Sequence, residues 1–324
     1  EVALKQIGGK PIINSVNLIM HRFSKAFPLF FPITLLFVSN SCRQSDRRDA
    51  VRLNLDQRTD KAIANDNSDV VPLRVALSTV ISPRESYAYY QELFEALSRR
   101  LDRPIEFKQR QTYQEVNDML AQNLVDIAFI CSGAYALGRD HFELLAVPVV
   151  NGEPRYRGYL IVAENSQLFR FEDLKGKRFS YSDPLCFTGK LFVDKRLLAM
   201  GTKAEDFFSE VVFSLSHDIS IQMVSRGMVD GASVNGLIFE YMLHYHPEQV
   251  QNIRIIEKTE ANGIPPVVNS LLLSRELRSE IQEFFTGMHH DPELQPVLEK
   301  LLIDRFILAG DSLYQALIEH HNIP

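Results

Sequence analysis

Between Ser180 and Lys190 the chain reads Ser-Tyr-Ser-Asp-Pro-Leu-Cys-Phe-Thr-Gly-Lys. A short strand over 177–182 runs into an Asp-Pro turn, and a helix opens near Thr188. A helix N-terminus reached directly from a strand leaves backbone N–H groups without intrahelical acceptors, at the positive end of the helix dipole. That is chemistry for an anion, and Gly189 lets a ligand come close to the backbone. Local sequence equally supports Thr188 as an N-cap and Gly189 as a turn residue. Cys131 and Cys186 end strands in different halves of the chain and are able to face each other across a cleft, with His217 nearby. As a pair they read as a redox couple, a soft-metal site or simply buried small thiols. No carboxylate pair or nucleophile–base pair suited to catalysis stands at these positions, so the expectation is a binding protein without cofactor or metal.

The elements that must place these residues come in two series. The first is a strand over Leu73–Thr79, a helix near Ser86–Leu101, a strand over Pro104–Gln109, a helix over Tyr113–Gln122 and a strand over Val125–Ile130. This strand–helix alternation predicts an α/β fold with a parallel sheet, whose ligands gather at the carboxyl ends of the strands. A strand over 144–150 and the Asn151-Gly152-Glu153-Pro154 turn lead to the second series. It comprises strands over 156–163, 177–182, 210–215, 229–234 and 252–258, and helices over 217–226 and 236–245. Ala261-Asn262-Gly263-Ile264-Pro265-Pro266 breaks that series, a strand over 267–273 follows, and three helices close the chain. The expectation is two lobes, 72–150 plus 267–324 and 151–266, hinged near 150–155 and 260–266 around a ligand cleft. On local grounds alone Tyr113 and Tyr135 are amphipathic wall residues, and His217 is a capping or surface residue.

The chain has 324 residues, 45% of them hydrophobic, with a formal net charge of −6 and no Trp. That size accommodates two domains, and the acidic balance with no basic stripe argues against nucleic acid. From Met20, which reads as a true start, a basic segment (His21, Arg22, Lys25) precedes an apolar run over 26–38 and then Ser39-Asn40-Ser41-Cys42. This is the pattern of a secretory signal; the run is short for a membrane span and contains Pro28 and Pro32. Cys42 at its end suggests a diacylated lipoprotein cysteine, although Ser39 stands where such signals carry Leu. Residues 1–42 are thus expected as a signal segment and 43–71 as a charged, flexible linker holding a monomer off the membrane. Cys42, Cys131 and Cys186 make an odd count without metal-type spacing.

Taken in order, a set of motifs resembles one family. They are Asp126-Ile-Ala-Phe-Ile-Cys-Ser-Gly-Ala-Tyr135, Tyr156-Arg-Gly-Tyr-Leu-Ile-Val162, Asp173-Leu-Lys-Gly-Lys177, Asp183-Pro184 with Thr188-Gly189, Ser216-His217-Asp218, Gly227-Met-Val-Asp-Gly-Ala232 and Asp311-Ser-Leu-Tyr314. Over roughly 72–316 the chain is similar to the phosphate/phosphite/phosphonate substrate-binding proteins of ABC importers. That resemblance implies a two-lobed type 2 periplasmic-binding-protein fold, a small anionic ligand, an ABC permease as partner and no enzymatic activity. The family's Ser-Thr-Ser-Gly oxyanion turn falls on Cys186, Phe187, Thr188 and Gly189, so only the last hydroxyl and the glycine are kept. Tyr113, Ser132, Tyr135 and His217 match the family's other ligand contacts. Carboxylates that hold the amine of aminoalkyl phosphonates have no counterpart at Asn235-Gly236-Leu237 or Pro265-Pro266-Val267. Asp230 and Glu240 read as strand and helix-face residues, which disfavours an ammonium-bearing ligand. The alternative is a sensory module of the same fold, engaging a sensor kinase or another envelope partner with an altered ligand.

Overall fold

The computed structural model describes residues 61–63, 70–78 and 80–321. The expected signal segment, Cys42 and most of the expected linker lie outside the described residues.

In chain order the strands are β1 (Lys61–Ile63), β2 (Leu73–Leu77), β3 (Ile105–Gln109), β4 (Ile127–Phe129), β5 (Phe142–Val149), β6 (Arg155–Tyr156), β7 (Gly158–Ala163), β8 (Arg178–Tyr181), β9 (Glu210–Phe213), β10 (Gly231–Asn235), β11 (Ile253–Lys258), β12 (Asn262–Gly263), β13 (Val267–Ser270) and β14 (Arg305–Ile307). The helices are α1 (Pro83–Leu101), α2 (Tyr113–Ala121), α3 (Ser132–Gly138), α4 (Phe192–Ala199), α5 (Ala204–Phe207), α6 (His217–Ser225), α7 (Gly236–Tyr245), α8 (Arg275–Gly287), α9 (Gln295–Lys300) and α10 (Gln315–His321).

Two sheets result. One has seven strands in the order β1-β3-β2-β4-β13-β5-β14, the other five in the order β11-β7-β10-β8-β9. In each, the strands followed by a crossover helix pair in parallel, β2 with β3 and β4, β8 with β9 and β10. The chain passes between the sheets twice, and the two passages pair as β6 with β12, Asn262 opposite Tyr156. Each sheet carries its own apolar layers, such as Leu73, Leu93 and Phe285 in the first and Leu160, Val162 and Phe179 in the second.

The same device sets the register of both parallel pairs. At the head of β2 the Arg74 guanidinium grips the Asp126 carboxylate, which also accepts the Arg74 N–H at 2.7 Å. At the head of β8, Arg178 and Asp230 repeat these contacts, the N–H bond at 2.9 Å. A bidentate ion pair plus a main-chain bond fixes how two neighbouring strands start. It thereby fixes the level at which they end, and their ends are where Ser78, Cys131, Ser182 and Asn235 emerge.

Three local differences from the sequence reading have physical reasons. Lys61–Ile63, inside the segment expected as linker, forms an edge strand antiparallel to β3; an open edge row of N–H and C=O groups accepts a short strand whatever its hydropathy. Arg305–Ile307 adds a strand beside β5 among the three closing helices, covering that sheet's other edge. The strand expected over 156–163 is broken at Arg157, because Tyr156 pairs with the second crossover and Gly158 begins the next sheet.

Candidate functional site

The turn after β8 is built around Cys186. Asp183 folds back so that its Oδ1 accepts the Leu185 N–H at 2.8 Å. Cys186 is then the N-terminal cap of a single π turn, Phe187–Leu191, that runs on into α4. Its Sγ accepts the Gly189 N–H at 3.2 Å, so sulfur rather than the expected Thr188 hydroxyl serves as the cap. A glycine is required there, because a Cβ at 189 would run into the Ser182 side chain. The amides of Lys190 and Leu191 both close on the Cys186 carbonyl at 3.0 Å, the widened spacing of a π turn. These amides, expected to be open to an anion, are thus engaged within the turn.

Further groups converge on the same sulfur. His217, first residue of α6, brings its Nε2 to 3.3 Å, and Thr188 Oγ1 lies at 3.7 Å. The other ring nitrogen of His217, Nδ1, accepts the Asn235 N–H at 3.0 Å, so Nε2 carries the proton and donates to sulfur. From the first sheet's side, the Cys131 thiol donates at 3.7 Å. Burial opposes ionisation of Cys186, but donation from Cys131 and His217 outweighs it and holds this thiol well below the ordinary range. Burial pushes Cys131 up, and its role as donor to Cys186 pushes it further. One thiol is therefore poised as an acceptor and the other as its proton-bearing partner.

The remaining contacts tie the two lobes together around this centre. Tyr113 N–H donates to Asp183 Oδ2 at 3.1 Å, and Ser132 Oγ donates to the Tyr156 hydroxyl at 3.0 Å. His217 N–H donates to the Val80 carbonyl at 3.0 Å, and Ser82 N–H to Asp218 Oδ1 at 2.9 Å. Gly133 packs so closely on the Leu185 carbonyl and the Phe187 amide that a Cβ would meet the latter at 2.9 Å. Tyr113, Ser132, Thr188, Cys186 and His217 are fully buried. Within this enclosed region Tyr113 Oη and Ser78 Oγ have no hydrogen-bond partner among the described residues. Unmet polar atoms in a buried place are costly, and these two mark a region fit to receive a polar guest. Burial raises the Asp183 carboxyl above its usual range, against the pull of the Leu185 and Tyr113 amides.

The structure brings Tyr113, Ser132, Cys186, Thr188, Gly189 and His217 into this cluster and directs two expected residues elsewhere. The Tyr135 hydroxyl donates to Asp311 Oδ1 at 2.5 Å and its ring lies against Tyr314 at 4.6 Å. The cause is the C-terminal Asp311–Tyr314 turn, which supplies a carboxylate closer than anything in the cleft. Phe187 enters the apolar cluster that holds Tyr135, Tyr156 and Tyr314, as a plug and not a donor. Lys190 pairs with Asp194 on the helix flank, 5.5 Å from the Tyr181 ring centre. Sequence reasoning missed Tyr156 and Asp183 as members of the cluster, although both stand inside quoted motifs. What would have found them is the Asp-Pro turn, whose carboxylate is free to cap, and the register of the two crossovers.

Beside the cluster lies a cavity of about 470 Å³ lined by residues of both sheets, sharing Ser78 and Asn235 with the region just described. Its walls are mainly apolar and aromatic, with Tyr89, Tyr90 and Tyr241 prominent, and no Lys or Arg is among the described residues that line it. Glu240, read from sequence as a helix-face residue, is on this wall, held by the Tyr159 hydroxyl at 2.8 Å. His244 is exposed and borders the same cavity. No group of three or more metal-type ligands occurs among the described residues.

The sequence model of the family described as ABC transporter, phosphonate, periplasmic substrate-binding protein matches residues 75–314. The phosphonates-binding periplasmic protein of Escherichia coli (strain K12) is 28% identical over 186 residues, 55% of each chain. The match thus spans about half the length of that relative. A binding protein component of an ABC phosphonate transporter from Pseudomonas aeruginosa superposes with a TM-score of 0.74 at 21% identity, covering 78% of this chain and 86% of that one. PhnD1 from Prochlorococcus marinus (MIT 9301), solved with methylphosphonate, gives 0.69 at 18% identity over 76% and 96%. At these identities the two superpositions establish the fold, the two-lobed type 2 periplasmic-binding-protein architecture expected from sequence. With the family model matching nearly three quarters of its length, the chain belongs to the periplasmic substrate-binding proteins of ABC phosphonate transporters.

Proposed function

We propose that the protein is exported and captures a small phosphorus oxyanion, a phosphonate by preference over phosphate or phosphite, for delivery to an ABC permease. The observation that carries this reading is the convergence of neutral donors from both lobes on one buried point, now filled by the Cys186 sulfur. Hydrogen-bond donors gathered around an anionic acceptor form an oxyanion site, and helix N-termini add their dipoles. In this reading the lobes are 72–150 plus 267–324 and 151–266, and the β6/β12 pair is the hinge about which they part. On opening, Cys186 swings aside and ligand oxygens take its donors, with Thr188 Oγ1, His217 Nε2, Tyr113 Oη and Ser132 Oγ as contacts. The adjacent apolar cavity receives the substituent on phosphorus, and Glu240 on its wall offers a partner to a ligand amine after all. Cys42 anchors the protein by lipid, and closure creates the face that the permease reads.

A thermal-shift series with phosphate, phosphite, methylphosphonate, 2-aminoethylphosphonate and sulfate tests this. A ligand that binds only the folded form raises its melting temperature in proportion to the logarithm of its concentration. The expected result is a shift with phosphonates, absent with sulfate and lost in Thr188→Ala and His217→Ala. Cys186→Ser, which restores a hydroxyl to the turn and removes a competing anion, is expected to enlarge the shift. No shift with any phosphorus anion would point instead to a sensory module with a different ligand.

A further inference from the structure

We infer that Cys131 and Cys186 form a thiol-oxidation site whose product, an interlobe disulfide, locks the cleft shut. The two sulfurs lie 3.7 Å apart, one at the end of β4 and the other on the turn after β8, 55 residues along the chain. A disulfide requires about 2.05 Å, so the two sulfurs already face each other and have only a short further approach to make. Both residues are free thiols. The asymmetry of their surroundings assigns their roles. Cys186 receives the Gly189 N–H and the His217 Nε2–H, the donors that stabilise a thiolate, so it is the attacking sulfur. Cys131 holds its proton towards Cys186 and is the resolving sulfur.

The oxidant is an external low-molecular-weight disulfide reaching the cleft while the lobes are apart. The Cys186 thiolate attacks one sulfur of that disulfide, breaking its S–S bond, forming a mixed disulfide and expelling one thiolate. Closure then presents Cys131, whose proton passes to the expelled thiolate. The Cys131 sulfur attacks Cys186 Sγ, forms the internal S–S bond and releases the second thiolate, which is protonated from solvent. Two electrons leave the protein and the oxidant is reduced to two thiols. The bond joins the two sheets across the one region where they must separate for a ligand to enter. It therefore stops exchange whatever that ligand is. Reduction releases it.

The test uses the full chain, purified reduced and then incubated with oxidised glutathione. Acid quench, alkylation with N-ethylmaleimide and peptide mapping without reductant should give a linked Cys131–Cys186 peptide. Cys131→Ser should stop at glutathione on Cys186, whereas Cys186→Ser should leave Cys131 largely unmodified. Hydrogen exchange then reads the lock. Peptides holding the Tyr113 and His217 amides, which donate across the lobes, should exchange at least about tenfold more slowly in the oxidised protein. Alkylation of both cysteines in the oxidant-treated, denatured protein would overturn the site, as would glutathione on Cys131 in preference to Cys186. A linked peptide with unchanged exchange at those amides would overturn the lock. None of these readouts depends on a phosphonate binding.

Discussion

At the scale of single residues the site turns on the Cys186 sulfur, which receives the Gly189 N–H, His217 Nε2 and the Cys131 thiol. The Cys186 thiol titrates well below its ordinary value in the folded chain, because donors from Cys131 and His217 overcome the cost of burial. In the unfolded chain it titrates near about 8.5. Between those two values the unfolded chain keeps a proton that the folded chain has released, so stability rises with pH across that window. It is lost again as pH falls through the folded value. Cys131 is shifted the other way, so above the ordinary thiol value it draws stability down as pH climbs further. Urea unfolding of the wild type and Cys186→Ser at a series of pH values isolates the first effect. The stability difference in favour of the wild type should grow from mildly acidic pH towards about 8.5. A pH-independent difference would show that the sulfur is not ionised in the closed cleft.

At the scale of elements, four short pieces of backbone place the chemistry: the N-termini of α2, α3 and α6 and the π turn before α4. Tyr113 is set by a capping box, in which the Thr112 side chain accepts the Glu115 amide and the Glu115 carboxylate accepts the Thr112 amide. Thr112→Ala should cost about 1 kcal/mol of stability in a denaturant titration. A cost indistinguishable from zero would mean that the box does not hold α2. Gly133→Ala separates closure from folding. In the open form an alanine in α3 is favoured over glycine by up to about 1 kcal/mol, but in the closed form its methyl meets the Leu185 carbonyl and the Phe187 amide of the other lobe. The variant should still fold but lose at least about tenfold in ligand affinity, roughly 1.4 kcal/mol. Unaltered affinity would mean that the lobes close elsewhere.

At the scale of the molecule, the α/β alternation, the two crossovers and the family's ordered motifs were all readable from the chain. Each rests on local periodicity or on turn chemistry that acts within a few residues. The π turn was not readable, because it depends on a sulfur accepting an amide three residues on, and thiol capping has no sequence signature. Nor was the withdrawal of Tyr135, whose carboxylate partner Asp311 is 176 residues away. Glu240 belongs to the same class: helical spacing places it on a face, but only the approach of the other lobe makes that face a cavity wall. Long-range packing decided these points, and it also determines the account's strongest demand, that lobes and ligand close on one another.

Isothermal titration of the purified protein with methylphosphonate and 2-aminoethylphosphonate, with sulfate as control, tests that demand most directly. Binding of a phosphonate at micromolar affinity or better, about −8 kcal/mol, abolished in His217→Ala and absent with sulfate, is the expected result. Heat with neither phosphonate at any pH, in the presence of reductant and in Cys186→Ser as well, would contradict phosphonate capture at this cleft.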